Sequence, residues 1–236
     1  MTAIRSLTFS IFLYGTTLII GVVCLPVLLL SRSTNLALVR WWCGYLIGGF
    51  ERIVGVTKEI RGAENLPEGS FIVAAKHQAM WETVIMNILL DDPATILKKE
   101  LMYIPIFGWW VAKLNMISVD RGAHAAALKK MLRDAKAQTD KGRILTIYPE
   151  GTRADLRGKN PYKPGIAALY KTLNVPVIPV ALNSGYCWAR KGGYRPGKIT
   201  LEFLEPIEPG MDRKAFMAEL ETRIETACDR LADELD

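Results

Sequence analysis

The chain has 236 residues, enough for one large domain with an appendage and a sizeable core. Half of the residues are hydrophobic and the net charge is +6, which suits an anionic membrane surface or a phosphorylated substrate. No helix-turn-helix, zinc or RNA-binding motif accompanies that charge, so nucleic acid is not an expected partner. The four cysteines, Cys24, Cys43, Cys187 and Cys228, are scattered without a Cys-x-x-Cys pair. They indicate neither a zinc site nor a disulfide framework, and a reducing setting is the default.

Leu7 to Leu30 contains no charged residue. Its 24 residues would make a helix of about 36 Å, against a hydrocarbon core of about 30 Å. The run is too long for a cleaved signal peptide, and Ser31-Arg32-Ser33 after it is not a clean small-x-small cleavage site. Pro26 is expected to kink or end the helix. Leu36 to Val56 is apolar and aromatic but carries Arg40, Glu51 and Arg52. Its tryptophans and tyrosine favour the headgroup level, to which Arg40 could snorkel. Residues 1–55 therefore read as a two-helix membrane element whose first helix spans or dips into one leaflet and whose second lies in or near the interface, the bland alternative being two helices of an ordinary hydrophobic core, and residues 56–236 read as a second domain. Basic residues flank the first helix on both sides, so charge gives no orientation.

Beyond residue 55, strands are expected at Val56–Arg61, Phe71–Ala75, Ala94–Leu97, Met116–Val119, Ile144–Tyr148, Val177–Leu182 and Ile199–Leu204. Helices are expected over Trp81–Leu90, briefly around Gly108, over Ala123–Thr139 with Leu128, Met131, Leu132 and Ala135 on one face, and over Ile166–Leu173. Asp212–Leu235 is amphipathic through Phe216, Leu220, Ile224, Ala227 and Leu231. Strands alternating with helices predict an α/β domain with a mixed, mostly parallel sheet flanked by helices.

Two strand ends gather reactive groups. His77 follows the apolar run Phe71–Ala75, and Glu82 lies five residues on. A carboxylate on one ring nitrogen fixes the tautomer and leaves the other nitrogen as a base. The bland alternative is a histidine that caps a helix. The second stretch is Tyr148-Pro149-Glu150-Gly151-Thr152-Arg153, which ends a buried strand in a turn. Its glycine lets backbone approach a ligand, and its arginine can grip a phosphate bidentately. Lys98 and Lys99, also after a strand, could add positive charge, or could simply be solvated. His124 reads as structural and Arg121 as a surface ion-pair partner. The basic loop from Ala189 to Lys198, of net charge +4, could meet headgroups or remain solvated.

Taken together these stretches resemble the 1-acylglycerol-3-phosphate acyltransferases, within the glycerolipid acyltransferase group. The resemblance runs to about Leu182. His77 to Glu82 stands at the family's His-x4-Asp motif, with glutamate replacing aspartate. Lys98-Lys99-Glu100-Leu101 with Ile104-Pro105-Ile106-Phe107-Gly108 resembles its second block. Tyr148 to Arg153 matches the third and Val177-Ile178-Pro179-Val180-Ala181 the fourth.

The resemblance implies acyl transfer from an acyl-CoA or acyl carrier protein thioester to the sn-2 hydroxyl of lysophosphatidic acid, giving phosphatidic acid. His77 would be the general base and Glu82 its orienting acid. Lys98, Lys99, Glu150, Gly151, Thr152 and Arg153 would form the phosphate site, with Ile178 and Pro179 loosely on the acyl-donor side. Backbone amides after His77 could stabilise the oxyanion. No metal or cofactor is implied, and membrane lipids are the expected surroundings. The implied location is the inner, cytoplasmic membrane with the catalytic domain facing the cytoplasm. Alternatives are the same chemistry on another lyso-lipid, such as a lyso-ornithine lipid, or a non-enzymatic lipid-binding protein of this fold.

Overall fold

In a computed structural model, which describes residues 2–120, 122, 124–189 and 193–235, the chain folds into three layers around one sheet. The strands are β1 (Val56–Arg61), β2 (Ile72–Ala75), β3 (Pro93–Lys98), β4 (Ile117–Val119), β5 (Ile144–Ile147), β6 (Val177–Leu182) and β7 (Gly197–Phe203). They lie in the order β1-β7-β6-β2-β5-β3-β4. β6 and β7 pair antiparallel and the other neighbours pair parallel, so the sheet is mixed and mostly parallel as expected.

The central strands β2 and β6 are buried along their whole length, and successive side chains enter opposite layers. Val73 and Ala75 join a core built with helices α1 (Thr2–Val23), α2 (Arg32–Phe50) and α3 (Trp81–Leu89). Ile72 and Ala74 join the opposite core, formed with α5 (His124–Thr139), α6 (Gly165–Leu173) and α8 (Arg213–Asp233). The short helices α4 (Phe107–Lys113) and α7 (Ser184–Cys187) complete the set. All five stripe positions expected on α8 are buried. On α5, Met131 and Ala135 are buried but Leu128 is exposed, because the helix turns Ala127 inward instead.

The N-terminal pair forms as the apolar runs suggest, with shifted limits. α1 ends at Val23, and Pro26 lies inside a short 3₁₀ turn, Leu25–Leu29, where its missing N–H costs nothing. α2 begins earlier than Leu36 because Ser31 caps it, accepting from the Thr34 N–H at 3.1 Å. Gly55, with φ of 86°, turns the chain into β1. The pair is nevertheless no separate body: Phe9, Leu13, Leu46 and Phe50 are buried in the same core as β2.

Arg40, expected to reach toward the headgroup level, also has partners within the protein. Its guanidinium donates to Leu90 O at 2.7 Å and to Asp91 at 3.0 Å, which ties α2 to the turn after α3. Arg32 makes a paired contact with Asp92, which Arg143 also approaches at 3.1 Å. Burial alone would raise the Asp92 carboxyl, but the Arg32 hydrogen bonds and the Arg143 charge outweigh it and hold the group below the usual carboxylate range.

Candidate active site

The carboxyl ends of β2, β5, β6 and β3 share one edge of the sheet, and the chain crosses over β2 between β5 and β6. Such crossover points open a crevice at the strand ends. His77 lies there, just past β2. Its Nδ1 is 2.8 Å from Glu82 Oε1, and its ring faces Tyr148 at a centroid distance of 4.4 Å.

Glu82 is fully buried, which a carboxylate tolerates only when its oxygens are satisfied. Oε1 accepts the N–H groups of Gln78 and Ala79, each at 2.7 Å, as well as facing His77. Oε2 accepts the Ser184 hydroxyl at 2.8 Å. Against an ionised carboxylate, which can only accept, Nδ1 is the donor of this contact, and Nε2 is the ring nitrogen that Glu82 does not engage. Glu82 stands in the first turn of α3, where the helix dipole also favours negative charge.

Of the amides after His77 expected to face an oxyanion, those of Gln78 and Ala79 are committed to Glu82.

The third block lies against the first. Ala154 N–H donates to the His77 carbonyl at 2.7 Å, which ties the residue after Arg153 to the histidine's backbone. Gly151 donates to Tyr148 O at 2.9 Å, closing a turn with Pro149 at its second position, and holds φ of 69°. Thr152 is exposed and Arg153 half-buried. Burial pushes the Tyr194 phenol up, and the Arg153 charge is among the opposing influences, so that guanidinium is within electrostatic reach of Tyr194.

Three expected site residues are buried. Glu150 is 1% exposed. One oxygen lies 3.1 Å from Lys76 Nζ and the other accepts from Asn160 N and Nδ2 at 3.0 and 2.8 Å, so Glu150 supports the turn from behind. Ile178 and Pro179 are buried within β6. Lys98, the last residue of β3, is exposed, while the Lys99 ammonium pairs with Asp120 at 3.0 Å, which raises its pKa. Arg121, the 190–192 part of the basic loop and the side chain of His124 lie outside the described residues.

Several contributors were not singled out from sequence. Ser184 follows β6 and reaches Glu82 across 102 positions of chain. Gln78 is buried, donates to Leu156 O at 3.0 Å and accepts from Gly185 N at 2.9 Å, so it locks three loops together. Lys76 points away from His77, and its ammonium donates to both oxygens of Glu225 at 2.8 and 2.9 Å and to Gly158 O at 2.9 Å. Tyr162 also donates to Glu225, at 2.9 Å. A single charged position, Glu225 beside Ile224 and Ala227 on the buried stripe of α8, was the available signal.

Known proteins carry the same plan. The Acyltransferase family model matches residues 58–183. Over 226 residues the chain is 31% identical to the 1-acyl-sn-glycerol-3-phosphate acyltransferase of Pseudomonas aeruginosa, covering 94% of this chain and 88% of that protein. The chain belongs to the 1-acyl-sn-glycerol-3-phosphate acyltransferase family. It is also 26% identical to the Escherichia coli enzyme of the same name over 196 residues, 82% of this chain and 80% of that one. The crystal structure of the 1-acyl-sn-glycerophosphate acyltransferase from Thermotoga maritima shares the fold, with a TM-score of 0.80 at 24% identity over 98% of both chains. This family member is therefore an acyltransferase, and its largely exposed apolar α1 is consistent with membrane association.

Proposed function

We propose that the enzyme moves a fatty acyl group from an acyl-CoA or acyl carrier protein thioester to the sn-2 hydroxyl of lysophosphatidic acid. The observation that carries this reading is the 2.8 Å contact between His77 Nδ1 and the buried Glu82, beside the turn that bears Arg153. His77 Nε2 takes the proton of the hydroxyl as its oxygen attacks the thioester carbonyl. The resulting oxyanion collapses, the C–S bond breaks, and the imidazolium returns its proton to the leaving thiolate. Glu82 stabilises the imidazolium in between. A thioester is already activated, so direct attack by the alcohol needs no acyl-enzyme, and the sequence has no Gly-x-Ser-x-Gly elbow. Arg153 holds the acceptor phosphate, with Lys98 and Lys99 adding positive charge at the same edge and Gly151 and Thr152 shaping the approach. Polar thioester donors do not cross a bilayer, which favours a catalytic face turned to the cytoplasm of the inner membrane.

A purified assay with lysophosphatidic acid and a panel of thioester donors tests the reading. His77→Ala should lower kcat by about 10²–10⁴-fold while the protein stays folded; turnover like the wild type would remove His77 as the base. Arg153→Ala should raise KM for lysophosphatidic acid far more than it lowers kcat. An unmoved KM, or transfer that glycerol phosphate does not inhibit, would point to an acceptor without a phosphate.

A further inference from the structure

The exposed apolar surface extends beyond α1 and α2. In the connection from β3 into α4, Tyr103, Ile104, Phe107 and Trp109 are 70%, 47%, 41% and 54% exposed. Single apolar side chains at a surface are ordinary, but four among residues 103–109 form a patch. The patch is rigidly built. Gly108 N–H donates to Ile104 O at 2.8 Å, and a Cβ on Gly108 would lie 2.0 Å from Met102 O. Ile106 holds φ of 68°, rare for a β-branched residue. Its Cγ2 lies so close to α1 that a Cβ on Gly21 would meet it at 3.0 Å. The turn thus seats Ile106 on the membrane helix while its four neighbours face outward.

We infer that the Tyr103–Trp109 turn is a second membrane contact, made by the catalytic domain with the same lipid leaflet that receives α1. The inference rests on the membrane-bound reading of α1. Its occupant is a bilayer, not another protein copy, for three reasons. The patch is continuous with α1 through Ile106 and Gly21, and the adjoining end of α1 exposes Leu18 and Ile19. It mixes tyrosine and tryptophan with aliphatic side chains, the composition that settles at the level of lipid headgroups. Exposed Lys98 stands at its edge on a chain of net charge +6, which matches anionic headgroups. Because the turn follows the carboxyl end of β3, this contact also sets that edge of the sheet, where His77 lies, toward the lipid.

The test uses the full chain and phosphatidylcholine vesicles containing phosphatidylglycerol. Ile104→Ser/Trp109→Ser should lower partitioning by about tenfold while the thermal unfolding midpoint and acyl transfer to a detergent-dispersed acceptor are unchanged. With brominated lipids, Trp109→Phe, which keeps the apolar surface, should remove a component of the quenching seen in the wild type. Undiminished partitioning of the double variant overturns the inference, as does quenching that ignores Trp109. Vesicle binding retained alongside conversion of a dimer to monomers assigns the patch to a second copy instead. If the wild type fails to bind vesicles, the reading of α1 falls with it. Absence of acyl transfer, by contrast, strikes only the enzymatic reading and leaves the partition result to decide the surface.

Discussion

Four donors converge on one carboxylate, and Ser184 is the only one that comes from outside the residues between His77 and Glu82. Removing its hydroxyl leaves Glu82 Oε2 buried and unpaired, a cost of about 1–3 kcal/mol. Part of that cost would appear as a loosened carboxylate and a less well held imidazole. We expect Ser184→Ala to lower kcat by about tenfold and to leave KM for the lipid acceptor unmoved, with partial rescue in Ser184→Thr. A merely structural serine would lower the unfolding midpoint without that kinetic signature. The same geometry explains how glutamate serves where the family motif has aspartate. The longer side chain reaches Ser184 while still holding the amides of Gln78 and Ala79. Glu82→Asp should therefore lose activity, and adding Ser184→Ala to it should cost little more. Additive losses in that double-mutant cycle would show that the two residues act separately.

At the scale of elements, the site depends on what lies behind the sheet. Lys76 and His77 are consecutive, yet their side chains enter opposite layers, as strand geometry dictates. Lys76 then ties β2 to α8 through Glu225 and to the Tyr148–Arg153 turn through Glu150. Lys76→Met leaves two buried carboxylates facing each other without their cation and should destabilise the fold by about 3–5 kcal/mol. Denaturant unfolding would measure it, and a change below about 1 kcal/mol would mean the network relaxes by protonation. The strands, the α8 stripe and the His77–Glu82 pairing were legible because they depend on periodicity and short spacing. Sheet order was not, since β5 inserts between β2 and β3 through contacts far apart in sequence. Ser184, Gln78 and Lys76 escaped for the same reason: their partners lie on other elements, and nothing local distinguishes them from solvated polar residues. Glu150 stood out because its neighbours Gly151 and Arg153 suit a phosphate; that its own direction is set by a buried lysine was not legible.

For the whole molecule, the decisive question is whether α1 is a detachable anchor or part of the folded body. Its two sides answer differently. Phe9 is fully buried and meets Phe50, Trp188 and Tyr194 at ring centroid distances of 4.8, 5.4 and 4.8 Å. Leu18, on the same helix, is 61% exposed. The start of α1 is tied to the domain by Arg5 donating to Val54 O at 3.3 Å, and its end rests on Ile106. Phe9→Ala should therefore behave as a core mutation, with a loss of about 3–5 kcal/mol. Leu18→Ser should leave the unfolding transition in place and weaken vesicle binding alone. Deleting residues 2–23 should yield an aggregating protein and not a soluble catalytic domain, because it uncovers the aromatic cluster around Phe50. A soluble, monomeric and active deletion variant would show that the cluster closes over without the helix, and α1 would then be an anchor after all.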